Sequence, residues 1–232
     1  MNWLQKTLSS TLGKKVIMSL SGLFLIIFLI GHLAGNLQLY IRDGGEAFNK
    51  YGEFMSTNPL IKILSYTTYI SILVHIIYSI LITIYNKRAR PIGYVTNGSQ
   101  ATSRWASRNM GILGTCILIF LVIHLQGIWY KYRFGDVPMV SYNGIQLKDL
   151  YTVTIAVFTK WYWVVLYTVC MITLAFHLYH GFASAFQTLG LNHKKYTPFI
   201  KKIGLLFSLI VPAAFASIPI YIYFMGVMNT TE

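Results

Sequence analysis

The chain has 232 residues, of which 55% are hydrophobic and only 11% charged, and its mean hydropathy is +0.56; a soluble domain carries about a quarter charged residues, so a water-soluble globule is excluded. The formal net charge of +13 does not point to nucleic acid, because the basic residues sit in the gaps between apolar runs instead of forming a face interleaved with stacking aromatics.

Five runs are long enough to cross a hydrocarbon core about 30 Å thick, which takes roughly 20 helical residues. Span I is predicted over Val16 to Tyr40, span II over Ile63 to Tyr85, span III over Met110 to Tyr130, span IV over Trp161 to Phe186 and span V over Ile203 to Met225. Span I is longer than the core of a signal peptide and no small-residue cleavage site follows it, so it is read as a retained helix. After it, Gly44 to Met55 places Phe48, Tyr51 and Met55 at helical intervals, which suits a short helix lying on the membrane surface. Between spans III and IV, Gly135, Pro138 and the pair Asn143-Gly144 predict a loop or short hairpin. Trp129, Tyr130 and Tyr132 close span III, and Trp161, Tyr162 and Trp163 open span IV, as headgroup-seeking rings do. Pro212 and Pro219 are expected to bend span V without ending it. The fold class is therefore all-α integral membrane, with residues 1–232 forming one transmembrane domain in which spans I to IV make a four-helix bundle and span V is peripheral.

Basic residues orient the spans. Lys6, Lys14 and Lys15 precede span I, Lys87, Arg88, Arg90, Arg104 and Arg108 separate II from III, and Lys194, Lys195, Lys201 and Lys202 separate IV from V. These twelve share one side; the other side holds the remaining seven with all six acidic residues, Asp43, Glu46, Glu53, Asp136, Asp149 and Glu232. The positive-inside rule then puts the N-terminus in the cytoplasm and the C-terminus outside. No Asp or Glu lies within a span, so a proton relay on buried carboxylates is not available from this chain.

Five of the six histidines fall inside spans: His32, His75, His124, His177 and His180. One such residue is ordinarily explained by a hydrogen bond to a neighbouring helix. Depth argues for more. His32 precedes Tyr40 by eight residues and His124 precedes Tyr130 by six, which places both about 9 to 12 Å beneath the outer end of an outward-running helix. His75 and His177 lie ten and nine residues before Tyr85 and Phe186, or about 14 to 15 Å above the inner end of an inward-running one. In an antiparallel bundle the resulting pairs, I with III and II with IV, face each other diagonally. Two imidazoles facing across an apolar space are what a haem needs for axial ligation. The second pair could use either His177 or His180, since three residues along a helix leaves them on nearly one face.

Gly31, Gly35, Gly111, Gly114, Gly127 and Gly181 lie near these histidines or open span III, where backbone without side chains would admit a flat macrocycle; close helix packing is the competing reason for them. Cys116 and Cys170 have no CxxC or CxxCH neighbourhood, so neither a disulfide framework nor covalent haem attachment is expected, and both are read as small buried hydrophobes. Arg108, Arg88 and Lys15 on the inner side and Arg42, Lys131 and Lys160 on the outer side are candidate partners for haem propionates. Asn36, Gln38, Arg42, Glu46 and Glu53 are candidate neighbours of a quinone near the outer end, since quinone chemistry needs hydrogen-bond donors and a proton exchanger.

Taken in order, SGLFLIIFLIGHLAGN around His32, GGEAFNKYGEFM in the first outer connection, VHIIYS around His75, VIHLQG around His124 and FHLYHGFASAFQTLG around His177 resemble the b558-type cytochrome b subunit of bacterial succinate dehydrogenases and fumarate reductases, a di-haem family with a single five-helix subunit. The resemblance runs from about Leu12 to the end of span V. It implies axial ligands at His32, His75, His124 and His177, the last counted back four residues from Gly181, and leaves His180 outside the ligand set as a partner for a propionate or a quinone. It also implies two haems b, menaquinone as substrate, and a flavoprotein subunit and an iron–sulfur subunit docked on the cytoplasmic face of a bacterial inner membrane. Such complexes can pair into a dimer of heterotrimers. Some fumarate reductases of the family carry a glutamate two residues before the span IV ligand for compensating proton movement; Ala175 stands there in this chain. Two other classes stay open at this stage, the cytochrome b subunit of a hydrogenase or formate dehydrogenase and a haem-free transporter or scaffold. Against the second stand the absence of a buried acid, of a repeated half and of a broken-helix pair.

Overall fold

An apolar helix in lipid satisfies its backbone internally and turns its side chains outward, and among the described residues five helices have the length and composition to do so. The computed structural model describes residues 2–89 and 105–229. In chain order it contains α1 (Trp3–Ser9), α2 (Thr11–Asn36) continued by a 3-10 turn (Leu37–Tyr40), α3 (Glu46–Thr57), α4 (Pro59–Arg88), α5 (Trp105–Arg108), α6 (Met110–His124) continued by a π-helical segment (Leu125–Tyr130), α7 (Lys131–Phe134), the strands β1 (Met139–Tyr142) and β2 (Ile145–Lys148), α8 (Leu150–Phe158), α9 (Trp161–Thr188) and α10 (Thr197–Asn229). The protein is an all-α integral membrane protein with five candidate spans: Thr11–Tyr40, Pro59–Arg88, Met110–Phe134, Trp161–Thr188 and Thr197–Gly226. Arg90, Arg104 and Glu232, used above for orientation, lie outside the described residues.

The helices run past the apolar cores because their ends carry their own stop signals. At the start of α4, Pro59 occupies the first helical position, where its missing N–H costs nothing. The side chain of Asn58 accepts from the N–H of Leu60 at 2.9 Å and of Ile61 at 3.3 Å, so the helix begins four residues before the predicted Ile63. α9 closes on Gly190 at φ +79°, with the Leu191 N–H reaching back to the Phe186 carbonyl at 2.9 Å. Pro212 and Pro219 lie inside α10, which continues through both.

Burial is inverted relative to a soluble protein. In the most apolar windows of the second and third spans only 6% of residues are buried within the chain, and Ile27, Ile63 and Ile70 are more than 60% exposed. At about 25 cal/mol per Å² such a surface would be strongly unfavourable in water, and lipid removes that cost. Cys116 is exposed and Cys170 half-buried, so the expectation of two buried thiols fails for Cys116. Within a span an exposed thiol meets acyl chains.

The chain divides into two compact units, Met1–Phe28 with Tyr66–Gly114 and Phe176–Ser208, and Leu29–Ser65 with Thr115–Ala175 and Leu209–Glu232. In the first, Trp105 packs edge-on against Phe176 at 5.4 Å, Phe182 meets Phe207 at 6.2 Å, and the Lys14 ammonium lies over the Tyr85 ring. The second holds an apolar core of Leu39, Phe48, Phe158, Tyr167, Ile218 and Ile222.

The second unit also carries the connections outside the spans. Gly44 and Gly45 take positive φ, and both carboxylate oxygens of Asp43 accept backbone N–H groups, from Gly45 at 2.9 Å and Ala47 at 2.8 Å, which turns the chain into α3. β1 and β2 pair antiparallel from Met139 opposite Lys148 to Tyr142 opposite Ile145, around Asn143 and Gly144 in left-handed conformation, the geometry of a two-residue hairpin turn. α8 follows, with Asp149 as its N-cap accepting from the Thr152 N–H at 3.0 Å. The loop reading of Lys131 to Lys160 captured the hairpin and missed this helix.

Of the two reasons weighed for Gly35, close helix packing is the one its surroundings support. A Cβ there would fall inside the Tyr51 ring of α3, whose hydroxyl donates to the Gly31 carbonyl at 3.2 Å. Gly35 therefore lets α3 lie against α2. Gly35→Ala is expected to lower stability by about 1 to 3 kcal/mol through overpacking, read as a fall in the melting temperature in detergent; an unchanged melting temperature would mean that Tyr51 moves aside freely.

Candidate functional site

Each compact unit contains, among its described residues, one pair of imidazoles in edge-on contact. In the second unit, His32 near the end of α2 meets His124 at the end of α6, with ring centroids 5.8 Å apart and planes at 83°. In the first unit, His75 in the middle of α4 meets His177 in α9, with centroids 6.2 Å apart and planes at 66°. These are the pairings that span depth predicted, I with III and II with IV.

Two observations bear on what such pairs could hold. Among the described residues no group of three or more His, Cys, Asp or Glu side chains could take a bare metal ion. Two neutral nitrogens fall short of a tetrahedral site, whereas a porphyrin brings four equatorial nitrogens of its own and asks the protein only for axial ligands. Distance agrees with this. Two metal–imidazole bonds of about 2 Å, with about 1 Å more from each nitrogen to its ring centre, separate the centroids by about 6 Å.

The other nitrogen of each ring completes the test, because a ligating histidine engages its second nitrogen with a partner that fixes the ring. His75 Nδ1 lies 3.3 Å from the Met18 carbonyl and 3.3 Å from the Ser21 hydroxyl. His124 Nδ1 lies 3.4 Å from the Tyr167 hydroxyl. His32 Nδ1 lies 3.5 Å from the Asn36 amide nitrogen, which makes its shorter bond, 2.7 Å, to the His32 carbonyl. His177 Nδ1 is buried with no hydrogen-bond partner. Two rings, His75 and His124, thus have Nδ1 beside a group able to accept from it, Asn36 offers the His32 nitrogen a donor, and His177 carries an orphaned polar atom of the kind a bound group or water relieves.

The walls of the second-unit pair are aromatic. Phe215 of α10 lies 5.5 Å from His32, and Phe120 stacks 5.7 Å from His124. The fifth span, expected at the periphery, thus lends a ring to the site. It also ties down the 3-10 turn after α2, since the Tyr40 hydroxyl donates to Ser217 at 2.7 Å. Immediately after His124 the backbone widens into the π-helical segment, a departure that clusters at functional sites. Gly127 lies within it and the space a Cβ would fill is open. In the first unit a Cβ on Gly22 would stand 3.2 Å from His75 Cε1, and one on Gly114 would stand 3.9 Å from His177 Cε1. Gly22 and Tyr167 were not singled out in the sequence. The SGLF run offered the first as one more small residue, but nothing in the spacing offered the second.

The remaining candidates do not converge. Gln38 is half-buried in the 3-10 turn, and Arg42 is exposed, reaching Tyr221 Oη at 3.5 Å and Met225 Sδ at 3.6 Å. Glu46 pairs with Lys50 one turn along α3, and Glu53 is half-buried on the same helix. Asn36 is committed to His32, so among these five it alone adjoins the imidazole pair. Lys15, Arg88 and Arg108 are exposed in the first unit and Lys131 in the second. His180 lies three residues beyond His177 on α9.

Fold and site together define a class, an all-α integral membrane protein with two intramembrane histidine pairs. Comparison of the chain with protein-family models, with curated proteins and with solved structures finds no match to any of them.

Proposed function

We propose that this chain is the di-haem cytochrome b subunit of a succinate:quinone oxidoreductase, anchoring an iron–sulfur and a flavoprotein subunit to a bacterial inner membrane and passing electrons between them and menaquinone. The observation that carries the reading is the pair of imidazole couples, each at the spacing two axial ligands need and each within its own compact unit. His32 and His124 would hold one iron, and His75 and His177 the other. A haem at each position would supply a one-electron couple inside the bilayer. Phe120 and Phe215 keep water from the first pair, while Met18, Ser21 and Tyr167 hold ring orientation. Outside the spans, Lys194 and Lys201 with Asn192, Thr197 and Pro198 line an open depression of about 590 Å³. On the cytoplasmic side assigned by the positive-inside rule, this basic surface suits the docking of an acidic subunit.

Purification from native membranes through a tag on this chain tests the assignment. A covalently flavinylated partner and a b-type spectrum reducible by succinate are expected. A hydrogenase or formate dehydrogenase subunit in its place would move the chain to another quinone-linked complex, and a preparation without a b-type spectrum would return it to the transporters.

A further inference from the structure

We propose that Tyr167 is a positioning residue for His124, and that through it the iron of the His32/His124 pair is tuned separately from that of the His75/His177 pair; this rests on the haem reading above. Tyr167 is 7% exposed and lies six residues into the Trp161–Thr188 span. Its ring is set edge-on against Phe120 at 5.0 Å and 84° and against Phe158 at 4.9 Å and 86°, with Trp163 at 6.5 Å. Packing of that kind leaves the ring little freedom, and it delivers the hydroxyl to 3.4 Å from His124 Nδ1. A hydroxyl in hydrocarbon is costly to bury unless it finds a partner. Here the partner is the nitrogen that metal ligation through Nε2 would leave protonated.

With Nε2 on iron, Nδ1–H donates to the phenol oxygen. Such a bond fixes the ring plane and makes the imidazole a stronger donor, which favours the ferric state and lowers the potential. The other couple is served differently, since His75 Nδ1 meets a backbone carbonyl and the Ser21 hydroxyl. Separate partners in separate units are a means of setting two potentials in one chain.

Tyr167→Phe keeps the ring and removes only the oxygen, so the intact complex should assemble with its full haem complement. Redox titration is expected to show one of the two b-type components moving to higher potential while the other stays, with a changed g-value for one low-spin ferric signal. Ser21→Ala supplies the cross-check, because it must leave the Tyr167-sensitive component where it was. The proposal is overturned if Tyr167→Phe moves neither component or both, or if Ser21→Ala moves the same one. Those outcomes need two haems in the unsubstituted protein; a preparation with no b-type spectrum would overturn the haem reading itself, and this proposal with it.

Discussion

His124→Ala is expected to lower the haem-to-protein ratio from about two to about one, because a porphyrin iron with one imidazole loses half of its protein ligation and the fixed ring behind it. His32→Ala should do the same. The component that survives either substitution should be the one removed by His75→Ala or His177→Ala, since the two couples belong to different compact units. His180→Ala distinguishes ligand from neighbour. Lying three residues beyond His177, it should leave the ratio at about two. Loss of both haems from every single substitution would mean that the couples do not bind independently, and retention of two after His124→Ala would remove His124 from the ligand set.

The second large effect is expected at Asn49, which is 1% exposed in α3. Its amide nitrogen donates to the Tyr142 hydroxyl at 3.0 Å and to Asp149 Oδ1 at 3.0 Å, and its oxygen accepts the Tyr151 N–H at 2.8 Å. One side chain thereby joins α3, the hairpin and the start of α8. Burial pushes the Asp149 carboxyl up, but the hydrogen bonds from Thr152 and Asn49 outweigh it and hold the group below the usual carboxylate range. Asn49→Leu keeps the branched heavy-atom skeleton and removes all three bonds, leaving the Tyr151 N–H and a carboxylate oxygen short of partners, for a cost of about 3 kcal/mol. Trypsin should then cut the Lys131 to Lys160 segment many times faster than in the unsubstituted protein, and equal cutting rates would show that the cap is held elsewhere. Acid should act in the same direction. A carboxyl whose folded pKa is depressed contributes its stability above the unfolded value, and that contribution fades as pH falls through the folded one.

The spans were legible in the sequence because lipid imposes a single requirement, a run of about 20 apolar residues, that no tertiary contact can override. Histidine pairing was legible for a related reason. Helical rise converts sequence distance from a span end directly into depth, so His32 and His124 could be matched without knowing how the helices pack. The structure adds what rise alone cannot supply. The π-helical segment after His124 depends on backbone hydrogen bonding that no residue in LQGIWY encodes by itself. Tyr167 became visible only once Phe120 and Phe158 were seen to fix its ring. α8 escaped notice because its nine residues, LYTVTIAVF, are too short to read as a span and too apolar to show an exposed polar face. The proposed quinone neighbours were chosen by chemistry and by nearness in sequence, and Glu46 turned out to spend its charge on Lys50.

Everything rests on two imidazole couples each gripping one iron porphyrin. A reduced-minus-oxidised spectrum of the purified chain, taken with a haem-to-protein ratio, addresses that directly: the account predicts a b-type α band and about two haems per chain. A preparation that is folded and helical, loaded under haem-replete expression, and yet shows no such band would contradict it.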